Sequence, residues 1–109
     1  MDRAEFETRL EGFVTTLGQF IADHYKTSSP ILYEQGLYPK IEVMRGPKFI
    51  RIVDAGPGQR SVHCFLDYQG NIYKAAGWKA PAKHIRGSIF DENFSIGKAV
   101  TVYGAAYLR

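Results

Sequence analysis

The residues whose types best suit them to meet a ligand lie in one stretch, Lys74-Ala-Ala-Gly-Trp-Lys-Ala-Pro-Ala-Lys-His-Ile-Arg-Gly87. Lys74, Lys79, Lys83 and Arg86 supply positive charge, His84 adds a ring donor, and Trp78, the only tryptophan, supplies a flat apolar face. No acidic residue falls between Asp67 and Asp91. This pairing is the one nucleic acid asks for. Cations track phosphates, and an aromatic ring stacks a base for about 1–3 kcal/mol per stack. Pro81 and Gly87 suit the start and end of a short helix over Ala80 to Arg86. On such a helix Lys79, Lys83 and Arg86 share a face, and its first N–H groups point at an anion. A second reading makes Trp78 a core anchor, with the lysines only keeping the surface wet. Both readings stand at this point.

Other candidate chemistry is thinner. The loop Asp54-Ala-Gly-Pro-Gly-Gln-Arg60 offers backbone N–H groups beside a basic residue. It matches neither the Walker nor the dinucleotide spacing, and a hairpin loop is the expectation. His63 and Cys64 are neighbours on a strand. Alternation then sends them to opposite faces, out of reach as a nucleophile–base pair. Cys64 alternates with Val62 and Leu66, which reads as a small buried hydrophobe, and His63 is expected on the other face with Phe65. His24 lies at the edge of an apolar stripe and reads as a packed, hydrogen-bonded ring. Three scattered histidines and one cysteine suggest neither metal site nor disulfide. Asp91-Glu92 is an adjacent acidic pair in a loop, which is not a working acid–base pair. No catalytic residue, metal or cofactor is expected, and the chain reads as a non-enzymatic binding protein.

Composition sets the frame. The 109 residues, 45% hydrophobic and 23% charged, read as a single ordinary α+β domain over 1–109. Net charge is +3, unevenly spread. Residues 1–37 hold three basic and six acidic side chains; residues 38–109 hold eleven and five. That asymmetry suits an anionic partner on one face, or mutual neutralisation across the fold. The lone cysteine and the charged opening Met1-Asp-Arg-Ala-Glu-Phe-Glu point to a reducing, cytoplasmic setting. No apolar run approaches the length of a membrane span.

Several elements must position the segment. Phe6, Leu10, Phe13, Val14, Leu17, Phe20, Ile21 and His24 recur at helical spacing, predicting an amphipathic helix over residues 3–26. Gly12 and Gly18 weaken it, or admit a close neighbour. Thr27-Ser-Ser-Pro30 stops it. Ile31-Leu-Tyr33 reads as a short strand or a helical turn. Strands follow over residues 40–45, 48–54, 60–66 and 72–75, the second covered on both faces, joined by short turns into an antiparallel meander. Asp91-Glu-Asn-Phe-Ser reads as a polar loop or single turn. Residues 98–103 read as a last strand, and Tyr107 and Leu108 as packing residues of a tail. The expected fold is an N-terminal amphipathic helix on a mostly antiparallel sheet of four or five strands, with a short second helix or loop after the fourth.

Two resemblances attach to these residues. Gly77-Trp-Lys-Ala-Pro-Ala-Lys83 resembles the Gly-Ser-Lys-Lys-x-Ala-Lys box of double-stranded-RNA-binding domains at Gly77, Lys79, Ala82 and Lys83. It departs from that box by Trp78 and Pro81. That likeness implies a basic helix start gripping phosphates by shape. The runs Arg60-Ser-Val-His-Cys-Phe, Lys74 to Lys83, Arg86-Gly and Tyr103-Gly-Ala-Ala-Tyr-Leu-Arg resemble small uncharacterised proteins of tailed bacteriophages. That resemblance implies a viral gene expressed in the cytoplasm of a bacterial host, and implies no activity.

The function expected from the sequence is binding of a phosphate-rich partner, nucleic acid foremost, through Lys74, Trp78, Lys79, Lys83, His84 and Arg86. The alternative is an interaction module that engages a host protein or assembles with itself.

Overall fold

Asp2 starts the first helix. Its backbone is extended and its side chain accepts from Ala4 N–H at 3.2 Å, satisfying one donor of the open helix end. The helix, α1, runs Arg3–Ser28 in this computed structural model, which describes residues 2–105. Glu5 in the first turn and Lys26 in the last complement the helix dipole. Phe6, Leu10, Phe13, Leu17 and Ile21 are buried on one stripe, each full burial contributing about 1.5–3 kcal/mol. The helix extends two residues past the sequence expectation because Thr27 and Ser28 hydroxyls donate back to the carbonyls of Asp23 and His24. Ser29, which precedes a proline, leaves helical geometry at φ −145°. Pro30–Glu34 then forms a short helix, α2, which settles the choice left open for Ile31–Tyr33.

The sheet is an antiparallel meander in chain order: β1 Lys40–Arg45, β2 Phe49–Gly56, β3 Gln59–Asp67, β4 Asn71–Ala75 and β5 Pro81–Ser88. The protein is therefore α+β, as its sequence predicts. Ile50, Ile52, Cys64, Leu66 and Ile72 meet the apolar stripe of α1 in one core with Ile89, Ile96 and Val100. A two-residue turn, Pro57-Gly58, joins β2 to β3 with Gly58 at φ +80°, so the 54–60 loop is a tight hairpin. In the β3–β4 hairpin Asp67 accepts from Gln69 N–H, Asn71 N–H and the Asn71 side chain. There Gly70 is required: its φ is +89°, and a Cβ would lie 2.7 Å from the Phe90 ring.

Three expectations are corrected. Residues 80–86 do not form a helix. Pro81–Ser88 is β5, entered by the bends of residues 76–79. Its pairing with β4 is displaced twice, with Ile72 opposite Gly87, Tyr73 opposite Ile85 and Ala75 opposite Pro81. Those bulges erase the period-2 pattern that marks a strand. The box shared with double-stranded-RNA-binding domains thus lies on a turn and a strand, not at a helix start. Second, His63 and Cys64 are not split by simple alternation. Ile52 faces Cys64 while Val53 faces Val62, so His63 is the extra residue of a bulge, and its ring turns to Asp54 instead of lying with Phe65. Third, the last strand is a small hairpin of β6 Val100–Thr101 and β7 Gly104–Ala105. Tyr107 and Leu108 lie outside the described residues.

Between β5 and β6 the chain makes a left-handed turn, with Asn93, Phe94 and Ser95 at φ 51°, 56° and 63°. Residues other than glycine resist this region at about 1–3 kcal/mol each. Arg9 of α1 holds the segment. It donates to the carbonyls of Ile89 at 2.7 Å and Asp91 at 3.0 Å, and its guanidinium lies 4.2 Å over the Phe94 ring. Ser95, buried, has its hydroxyl 3.0 Å from both the Ser88 carbonyl and an Asp91 carboxylate oxygen, and accepts from Ser88 N–H.

Candidate functional site

The sheet has two unlike faces. One meets α1. Among the described residues the other carries no helix, and it is paved with rings. Phe49, Arg51 and Val53 of β2 face this way, with Phe65 of β3 across from Arg51 and Tyr73 of β4 across from Phe65. Phe49 meets Phe65 and Tyr73 edge to face, at 6.2 and 5.6 Å between centroids. Val53 and Phe65 are 0% and 2% exposed, although no helix covers them. Side chains do the covering. On one side Arg60, paired with Glu42, reaches Met44. On the other, the 76–80 turn brings Trp78 up beside Arg51. The sequence had β2 covered on both faces; the second cover is this roof of long side chains.

Trp78 is half in and half out, 41% exposed. Arg51 Nε donates to its backbone carbonyl at 2.7 Å, and the guanidinium carbon lies 5.7 Å from the indole and 5.8 Å from the Phe65 ring. The two readings of Trp78 therefore merge: its backbone is anchored, and its ring remains accessible. Ile85, across from Tyr73, is 52% exposed and extends the apolar floor.

The other residues of the segment divide. Lys79 follows Trp78 in the turn, exposed. Lys83 and His84 are exposed on β5. Arg86 is half-buried, bonds back to the His84 carbonyl at 2.8 Å, and lines a hollow with Asp91, Glu92, Ser95 and Lys98. Lys74 is half-buried on β4. The helical face that would have gathered Lys79, Lys83 and Arg86 does not exist. Arg51, Phe49, Phe65, Tyr73 and Ile85 are the residues that sequence reasoning missed. Their signal was present in the odd positions of the second strand, where Phe49, Arg51 and Val53 alternate.

Titratable groups elsewhere are committed to the fold. His63 is 2% exposed. Its Nδ1 lies 2.9 and 3.1 Å from the carboxylate oxygens of Asp54, and its Nε2 lies 2.9 Å from the Thr101 carbonyl. Both ring nitrogens thus face acceptors, and neither faces a nucleophile. Burial pushes the Cys64 thiol far up, and the Asp54 charge adds to it. Burial also works to raise the Asp67 carboxyl, but hydrogen bonds from Asn71, Tyr73 and Gln69 outweigh it and hold Asp67 below the ordinary carboxylate value. Burial, then the bond to Asp67 at 2.8 Å, raises the Tyr73 phenol. At the sheet's edge Glu7 is held low by its two-pronged bond to Arg45. Among the described residues no group of three or more His, Cys, Asp and Glu is placed to hold a metal ion, and no helix is long and apolar enough to cross a membrane.

A family profile spans residues 2–100, covering α1, the whole sheet and the left-handed turn. The chain belongs to DUF7717, a family of unknown function. No curated protein and no solved structure matches it. In this DUF7717 member the ring-paved face adjoins the turn that carries Trp78 and Lys79.

Proposed function

We propose that this protein is a non-enzymatic binder of a phosphate-rich partner, nucleic acid foremost. The observation that carries this reading is Trp78. A half-exposed ring stands on an aromatic sheet face, with Lys79 next to it in the turn, Lys83 exposed on β5 and no acid in the chain from residue 68 to residue 90. Phosphates would meet the cations, and an apolar ligand surface would meet the ring. Lys74, His84 and Arg86 flank this centre and would add long-range attraction. The non-enzymatic part is supported by the buried thiol of Cys64 and by His63, whose two nitrogens are already engaged.

Titration of labelled single- and double-stranded oligonucleotides across salt tests the proposal. Micromolar binding that weakens steeply with salt, and weakens further in Lys79→Ala/Lys83→Ala, is the expected result. No binding of either form at low salt overturns it.

A second reading has its own observation. Around α2, Ile31, Leu32 and Leu37 are exposed within the acidic part of the chain. An apolar patch of this kind suits a protein contact. If the gene is viral, as the likeness to tailed-phage proteins implies, the contact would be a host protein in the bacterial cytoplasm or another copy of the chain. A partner retained from host lysate after nuclease treatment, and lost in Ile31→Glu, would favour this reading.

A further inference from the structure

We infer that the ligand of the ring-paved face is a single-stranded nucleic acid, its bases laid against Trp78 and Ile85 and its phosphates toward Lys79 and Lys83, with Arg51 as the positioning residue. This rests on the phosphate-binding reading above and narrows it.

Two features select single strands over duplex, and a third suits a polyanion of either kind. First, the accessible apolar groups, Trp78 and Ile85, lie on one sheet face near the half-buried Phe49 and Tyr73. A duplex hides the faces of its bases and offers an exposed stack only at its ends, so such groups would have little to meet. Unpaired bases offer a flat face at every nucleotide. Second, a duplex groove is read by a protruding helix or ribbon. Among the described residues no helix rises from this face. Third, the charges leave room for a polyanion. On this face the acids Glu42 and Asp67 are engaged, by Arg60 and by the Asn71–Tyr73 cluster, whereas Lys79, in the turn with Trp78, and Lys83, on β5, stand exposed.

Arg51 has a defined part. By bonding the Trp78 carbonyl and lying between the Trp78 and Phe65 rings, it sets the height and tilt of the indole above the sheet. The turn of residues 76–80 also has its own closure, the bond from Ala76 N–H to the Ala80 carbonyl. Arg51 thus acts through Trp78.

The experiment uses the full chain and four probes: oligo-dT and oligo-U of about 12 nucleotides, a duplex of the same length, and inorganic polyphosphate. Two readouts are followed, the anisotropy of labelled probe and the emission of Trp78, the only tryptophan. Either single strand should quench Trp78 and bind about tenfold tighter than duplex or polyphosphate. Trp78→Ala should lose about tenfold for the single strands, with the salt slope unchanged. Trp78→Phe, which keeps a ring, should recover most of that loss and serves as the control for folding. Arg51→Ala should weaken single-strand binding and leave polyphosphate binding unchanged, a split that a merely structural role would not produce. Equal binding of duplex and polyphosphate without quenching would overturn the single-strand assignment and leave the phosphate reading intact. Failure of all four probes to bind overturns both.

Discussion

Arg51 and Trp78 are joined twice, once through the tryptophan's carbonyl at 2.7 Å and once through its ring at 5.7 Å. A side chain at the centre of the sheet thereby governs a turn 27 residues further along the chain. Replacing Arg51 by Ala should cost about 1–2 kcal/mol of stability. It should also shift Trp78 emission to the red and raise its quenching by iodide. An unchanged emission spectrum would show that the turn holds its own shape.

The helix glycines should respond in opposite directions. Gly18 has open space where a Cβ would stand, so Gly18→Ala should stabilise by about 0.5–1 kcal/mol through helix propensity. At Gly12 a Cβ would come within 2.7 Å of the Phe94 ring. That ring is held by Arg9 and by a left-handed backbone. Gly12→Ala should therefore lose about 1–2 kcal/mol, overpacking exceeding the propensity gain. Urea denaturation of the two variants measures the difference directly.

His63 ties β3 to the β6–β7 hairpin. His63→Ala leaves the Asp54 carboxylate without its partner and the Thr101 carbonyl without its donor. A loss of about 2–4 kcal/mol is expected. The loss should shrink in an Asp54→Asn background, which a double-mutant cycle by denaturation reads out.

Asp67 makes stability depend on acid. Its folded carboxyl titrates below the ordinary value, so its contribution is present above the unfolded pKa of about 3.9 and is lost as pH falls through the lower, folded value. The unfolding free energy should drop below about pH 4. Asp67→Asn should lower stability at neutral pH by about 1–3 kcal/mol and flatten that acid slope. A slope unchanged in the variant would assign it to other carboxylates.

Cys64 should be silent in the native protein. Its thiol is buried and its ionisation suppressed, so labelling by a thiol-specific disulfide should be at least about 100-fold slower folded than in denaturant. Rapid native labelling would require the core beside Ile52 to open.

Much of this fold was legible in the sequence, because strong periodicities survive translation into structure. Phe6, Leu10, Phe13, Leu17 and Ile21 mark α1 at helical spacing, and β2 to β4 stand out by their β-branched runs and polar turns. What failed were the places where two strands slip past each other. A bulge cannot be seen in a single strand, since it is a property of the pair. Simple alternation therefore puts His63 on the wrong face. Ala82 to Arg86 carry no strand pattern of their own; pairing with β4 imposes it, a tertiary effect overriding local preference. The proposed site is partly visible in the sequence. Trp78 and its lysines stand out by type, but Arg51 looks like one more residue of a central strand, and only its placement across from Phe65 and beneath Trp78 brings it to the proposed site.

The sheet is laid down in chain order, and that order has a consequence during synthesis. Helix α1 is made first, with its five buried side chains. Their partners Ile50 and Ile52, then Cys64 and Leu66, follow only with β2 and β3. At ribosomal speeds of about 5–20 residues per second, the helix spends several seconds with its stripe uncovered. A nascent chain whose β3 has not yet emerged from the ribosome would be a ready client for chaperones, whereas one with Leu66 clear of the ribosome would already have much of the helix covered.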